Sequence, residues 1–264
     1  MSDGAPRRRA TKQPASPTRR AANEPREFAG FRPQALTFFR SLARHNEKSW
    51  FEENRDRFEL DVLQPMRALV EELDVRFARF APEIVADPKR SIFRIYRDVR
   101  FSADKSPYKT HASCWLTHQD SARSVGRDSE GGAAGFYFHL QPGESLVAGG
   151  LWMPPRESLS RIRDAIVARQ PEWESVVLAP GFRRRFGGLS DEGMLTRLPR
   201  GAPADSPAAR WLRYTSFTAS RRLSDDDVTS PRLAQTLESN FSALLPLVRW
   251  LNRALGFPEA KARV

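Results

Sequence analysis

Cysteine is almost absent: the single Cys114 excludes an intramolecular disulfide, and no Cys/His cluster has the spacing of a zinc site. A reducing cytoplasm is therefore the expected location. No apolar run approaches the length that spans a bilayer, and residues 1–27 contain no large apolar side chain beyond Met1, so neither a membrane segment nor a secretion signal is expected. Glycine-rich phosphate loops of the Walker, Rossmann or kinase kind are missing as well, and no cofactor is expected. The four histidines, His45, His111, His118 and His139, never stand at the i, i+4 spacing of a helical metal pair, so no metal is expected either. Lysine is the last scarcity. It supplies only six of the 43 basic residues, yet three of the six, Lys89, Lys105 and Lys109, lie within one short stretch. Where arginine is the default cation, a retained lysine points to a place that needs a compact ammonium and not a planar fork.

What the chain does have is enough apolar material, 40% of 264 residues, to bury a substantial core, and a formal net charge of +11. Such a charge suits a polyanionic partner or simply solubility, and says nothing of the fold. Residues 1–27, rich in Arg, Pro, Ala and Thr, read as a disordered basic tail. That tail could touch nucleic acid, although a solvated tail is the commoner reading. Residues 28–258 read as one domain, followed by a short C-terminal tail over 259–264.

Pro33 suits a first helical turn, with Leu36, Phe39 and Ala43 at helical spacing. Asn46 is placed to cap a second helix carrying Trp50, Phe51, Phe58 and Val62, and a third is expected from Pro65 to Pro82. Strands are expected over 92–101, 111–117, 136–140, 146–153, 195–198 and 214–219, those at 136–153 forming a hairpin around Pro142 and Gly143. Gly149 and Gly150 mark a bulge or a close backbone approach. A polar, glycine-rich connection over 118–135, helices near 155–169 and from Pro171, and a long C-terminal helix from Ser230 that can kink at Pro246 complete the reading. Without regular βαβ alternation, the class is α+β: a single domain with a mixed, largely antiparallel sheet packed by helices.

Residues 94–109, RIYRDVRFSADKSPYK, hold the densest mixture of charge and apolar side chains. Period-2 alternation sets Phe93, Ile95, Arg97, Val99 and Phe101 on one face, so Arg97 needs a carboxylate or a bulge to be accommodated. Arg94, Asp98 and Arg100 share the other. Asp104 and Pro107 predict a rigid turn, on which Lys105 and Lys109 converge. A ligand set of Arg94, Arg97, Arg100, Ser102, Lys105, Ser106 and Lys109 follows for a small phosphorylated or carboxylated anion. If the site were an enzyme's, Asp98 or Asp104 would serve as base, Tyr108 as proton donor, and His111 as a further acid–base candidate. No nucleophile and base stand at a diagnostic spacing, and enzyme status and oligomeric state stay open. Arg183, Arg184 and Arg185, with Trp173 and Phe182 nearby, offer a second basic cluster that could stack on and neutralise nucleic acid, or be plain surface.

The run RIYRDVRFSADKSPYKTH resembles the signature of the domain of unknown function 2461 family, together with NEKSWFEENRDRFE, FYFHLQPGESLVAGGLWMP and LPRGAPADSPAARWLRYTSF, so that the resemblance spans residues 31 to about 257. It implies no established activity. His45 and Ser206 depart from the residues common at those places, asparagine and histidine, and the second departure removes a histidine from any mechanism there. Three readings stand side by side: a small-anion site, nucleic-acid binding through tail and surface, and an internal ion network of Arg97, Asp98, Arg100 and Asp104 in a domain that acts through partner contacts.

Overall fold

Proline at the first helical position presets helical φ, and α1 (Pro33–Arg44) starts there, burying Ala35, Leu36, Phe38, Phe39 and Leu42. The computed structural model describes residues 28–100, 102–121, 132–203 and 205–260. The expected tail over 1–27, Phe101, most of the 118–135 connection and residues 261–264 lie outside them.

The second and third expected helices run on without a connecting loop: α2 (Lys48–Glu53), α3 (Arg55–Phe58), a π-helical turn over Glu59–Leu63 and α4 (Gln64–Phe80). Pro65 would clash with the carbonyl four residues earlier in a regular helix, and the wider π turn just ahead of it relieves that clash. Asn46 is not the cap of α2. Glu47 occupies that position with no side-chain cap bond, because the Asn46 amide is engaged elsewhere. Apolar residues at helical spacing on α4, namely Met66, Leu69, Val70, Leu73 and Phe77, are all buried.

After β1 (Ile84–Val85) and α5 (Pro88–Ser91) come β2 (Ala112–His118), β3 (Gly135–Leu140) and β4 (Leu146–Leu151). Then follow α6 (Arg156–Ala168), α7 (Gln170–Val177), α8 (Pro180–Phe186), a 3-10 turn over Trp211–Arg213 and β5 (Phe217–Arg222). Two helices close the fold, α9 (Asp225–Thr229) and α10 (Leu233–Leu255), the latter running through Pro246. The five strands pair in sequence order and every pair is antiparallel, so among the described strands the sheet is antiparallel and not mixed. The fold is α+β, and no helix of the described residues is long and apolar enough to cross a membrane.

Side-chain alternation divides the sheet into two unlike faces. Cys114, Leu116, Phe136, Phe138, Val147, Phe217 and Ala219 share a buried face beneath α10 and α4, where Phe136 stacks on Phe241 at 4.7 Å and on Phe77 at 5.6 Å. Burial pushes the Cys114 thiol up to about 12, so it is inert packing. Gly149 and Gly150 serve close approach: a Cβ on the first would lie 3.1 Å from Leu244, and one on the second 2.0 Å from the Phe217 carbonyl oxygen. They face α10 and β5. The opposite face carries Trp115, Tyr137, His139, Leu146 and Ala148, all half-buried.

Three expected strands are corrected. The described residues of the 92–101 stretch make only two isolated bridges, Ile92 with Cys114 and Tyr96 with Tyr108. Four residue steps on one side oppose six on the other, so the extra residues bulge and a regular ladder is impossible. Residues 195–198 form no strand; Leu195 N–H donates only to the Arg213 carbonyl at 2.8 Å. Residues 214–216 leave the 3-10 turn before β5 can begin at Phe217. α8 and α9 were absent from the expected elements, although Ser224 and Asp227 make a full capping box for α9.

Candidate functional site

Residues 92–97 and 107–111 form an irregular two-stranded arm that continues from the start of β2. Its backbone is joined by Phe93 N–H to the Ser113 carbonyl (3.0 Å), Lys109 N–H to Ile95 (2.8 Å) and Arg97 N–H to Pro107 (2.9 Å). Those bonds leave the N–H and carbonyl of Tyr108 facing outward. The Asn46 amide takes both, accepting from Tyr108 N–H at 3.0 Å and donating to its carbonyl at 2.9 Å, as the peptide group of a further strand would. Tyr108, buried, stacks on Phe51 with centroids 4.2 Å apart. Hydrogen bonds and aromatic packing thus moor the arm to the α1–α2 connection and to α2.

Beyond the arm, the tip over 98–106 is neutralised from within. Asp104 accepts from the Ser106 hydroxyl (2.6 Å), from Ser106 N–H (2.9 Å) and from Arg97, whose guanidinium also reaches Ser102 Oγ at 3.4 Å and the Ser106 carbonyl at 3.4 Å. The carboxylate that Arg97 needs is therefore Asp104. Asp98 pairs with Arg100, at 2.6 Å and 3.0 Å, and accepts its N–H at 3.2 Å. Lys105 Nζ donates to the Val99 carbonyl at 3.0 Å. Hydrogen bonds from Arg100 draw the Asp98 carboxyl down to about 2, and those from Ser106, then Arg97, hold Asp104 well below the carboxylate range. Carboxylates so acidic are weak proton acceptors at neutral pH. Tyr108 packs toward α2, and burial raises its phenol pKa.

Lys109 is different. Half-buried, it holds Nζ 5.3 Å from the centroid of the Phe93 ring and has no carboxylate partner among the described residues. Burial, then the nearby charge of Arg94, lowers its pKa. Arg94 is exposed and acts electrostatically on both Lys109 and Asp98. His111 follows on the same side, its ring 4.2 Å from that of His139; burial, then His139 and Lys109, push its pKa down to about 4, so it is neutral at pH 7.

His139 opens a polar chain that the motif alone does not suggest. Its Nδ1 lies 3.0 Å from the Tyr137 hydroxyl and its Nε2 2.9 Å from Gln141 Oε1, and Gln141 donates to Glu144 at 2.6 Å. Because Gln141 Oε1 can only accept, Nε2 carries the proton and Tyr137 O–H donates to Nδ1. The sequence signal was there: in β3, Tyr137 and His139 alternate with the buried Phe136, Phe138 and Leu140. His118 is structural, its Nε2 2.8 Å from the Pro258 carbonyl, and His45 stacks on Trp50.

The expected ligand set therefore separates. Arg97 and Ser106 meet at Asp104, Ser102 accepts from Arg97, Arg100 meets Asp98, Lys105 meets a carbonyl, and Arg94 and Lys109 stand with His111 beside Phe93. A family model described as "Conserved hypothetical protein (DUF2461)" matches residues 34–250. The curated proteins and the solved structures searched contain no match.

Proposed function

The chain belongs to the domain of unknown function 2461 family of conserved hypothetical proteins, and from that premise we propose that it binds a small phosphorylated or carboxylated ligand on the Lys109 side of the arm. The observation that carries this reading is a half-buried ammonium with no carboxylate partner among the described residues, whose pKa burial depresses. An unpaired charge partly out of water is costly, and an anionic ligand atom supplies the missing partner. Arg94 adds a second cation, and neutral His111 can donate one ring N–H to a ligand oxygen. Phe93 offers an apolar wall. Arg97, Arg100, Ser102, Lys105 and Ser106 hold the tip in shape and contact the ligand indirectly, through the arm.

The internal ion network of the tip favours a second reading, in which Arg97–Asp104 and Asp98–Arg100 only fix a surface loop for a protein partner. The two readings divide at Lys109. Thermal unfolding is followed in the presence of inorganic phosphate, pyrophosphate, sugar phosphates and citrate. Saturating ligand at about 100 times its Kd adds roughly 2.7 kcal/mol. Lys109→Ala should abolish that gain and Lys105→Ala should leave most of it; equal gains in both variants, or none in the parent, contradict the proposal.

A further inference from the structure

The arginine run of α8 is not isolated surface. Gly181, Arg184 and Arg185 form one wall of a groove of about 1040 Å³, β5 contributes Arg221 from a distant part of the chain, and α10 supplies Ser239 and Ser242 opposite. Arg185 is fixed by donating to the Ser239 carbonyl at 2.5 Å and its hydroxyl at 3.1 Å. Arg184 and Arg221 are exposed and pair with no carboxylate among the described residues. The one acid lining the groove, Glu238, is already engaged by Arg76. Arg76 also pairs with Glu72, but Arg184, Arg185 and Arg221 outnumber the single groove carboxylate, so the groove keeps a net positive charge.

Shape and chemistry narrow the occupant. The groove is open, whereas a site for a small molecule encloses most of its ligand. Among the described residues no aromatic side chain lines it: Trp173 is fully buried and Phe182 nearly so, which removes the stacking that single-stranded nucleic acid uses. Guanidinium groups spaced along an open groove, with hydroxyls beside them and Gly181 permitting close approach, suit phosphate oxygens. We propose that this groove between α8, β5 and α10 binds the phosphodiester backbone of a nucleic-acid duplex without reading its sequence. Arg183, exposed and adjacent to Arg184 in α8, adds to the same field.

Binding of fluorescein-labelled 20-base-pair DNA and RNA duplexes to the full-length chain is measured by anisotropy between 50 and 200 mM salt, with polyglutamate as competitor. Each phosphate contact contributes about 0.9 to the slope of log K against log salt. The Arg184→Ala/Arg221→Ala double variant should therefore lose about 1.8 of the parent slope and bind at least about tenfold more weakly at 100 mM. Arg184→Lys/Arg221→Lys should restore the slope, and Lys109→Ala should change neither quantity, which keeps this groove distinct from the proposed small-anion site. The inference is overturned if the parent binds neither duplex, if the double alanine variant keeps the parental slope and affinity, or if polyglutamate at equal charge displaces the duplex from the parent completely but not from the double variant.

Discussion

Replacing Asn46 by alanine tests whether the arm is held as described. The side-chain amide makes two hydrogen bonds to the backbone of Tyr108, a residue only 2% exposed, and Tyr108 uses its neighbours' peptide groups, not its own, to join the opposite strand. Each lost bond is worth about 0.5–1.5 kcal/mol net, and a buried donor or acceptor left without a partner costs more, so the total is about 2–4 kcal/mol. For a domain of this size that is a fall in Tm of roughly 4–16 °C. Urea denaturation gives the free energy, and amide exchange gives the location: protection at Tyr108 should fall further than protection in β3, because the arm loosens before the sheet opens. Asn46→Asp keeps the acceptor and sets a carboxylate against the Tyr108 carbonyl, so it should do no better than alanine. Destabilisation below about 0.5 kcal/mol with unchanged exchange at Tyr108 would refute the reasoning, since that is the ordinary range of an uninvolved surface position.

Other perturbations follow from the same geometry. Gly150 has φ +126 and a Cβ there would lie 2.0 Å from the Phe217 carbonyl oxygen, so Gly150→Ala should cost at least about 3 kcal/mol by denaturant unfolding and weaken the β4–β5 pairing. His111 is held neutral, its pKa lowered from 6.5 to about 4, so the unfolded chain takes up the proton first. The stability this adds is fully present above pH 6.5 and is lost as pH falls toward 4, by at most about 3 kcal/mol before solvent screening; His111→Gln should flatten that limb of the pH–stability curve.

Much of the fold is legible in the residues because one physical signal dominates each element. Leu69, Leu73 and Phe77 can share a buried stripe only on a helix, and Phe136, Phe138 and Leu140 can share a buried face only on a strand. Competing signals explain the departures. Asn46 has cap chemistry, but an edge peptide 62 residues away uses its amide. The 92–101 stretch has strand composition, but its partner strand carries extra residues that break the ladder, a mismatch that alternation on one strand cannot reveal. The charged motif read as one convergent set because spacing shows who is near in the chain, not which acid meets which base. Asp104 taking Arg97 and Asp98 taking Arg100 leave Lys109 apart. The bias toward arginine elsewhere had already singled out the lysines, but it does not distinguish Lys109 over an aromatic ring from Lys105 on a carbonyl. The groove of α8 needs Arg221, which only the pairing of β4 with β5 brings beside Arg184.

Lysine-selective ¹³C/¹⁵N NMR addresses the central claim most directly, because six lysines give a resolvable spectrum. Titration with pyrophosphate and the sugar phosphates that stabilise the protein should shift the Lys109 ammonium resonance saturably and raise its depressed pKa, while Lys48, Lys89 and Lys105 move little. A Lys109 signal that stays still as the protein is stabilised, or that moves only in step with the other lysines, would contradict a ligand site on that side of the arm.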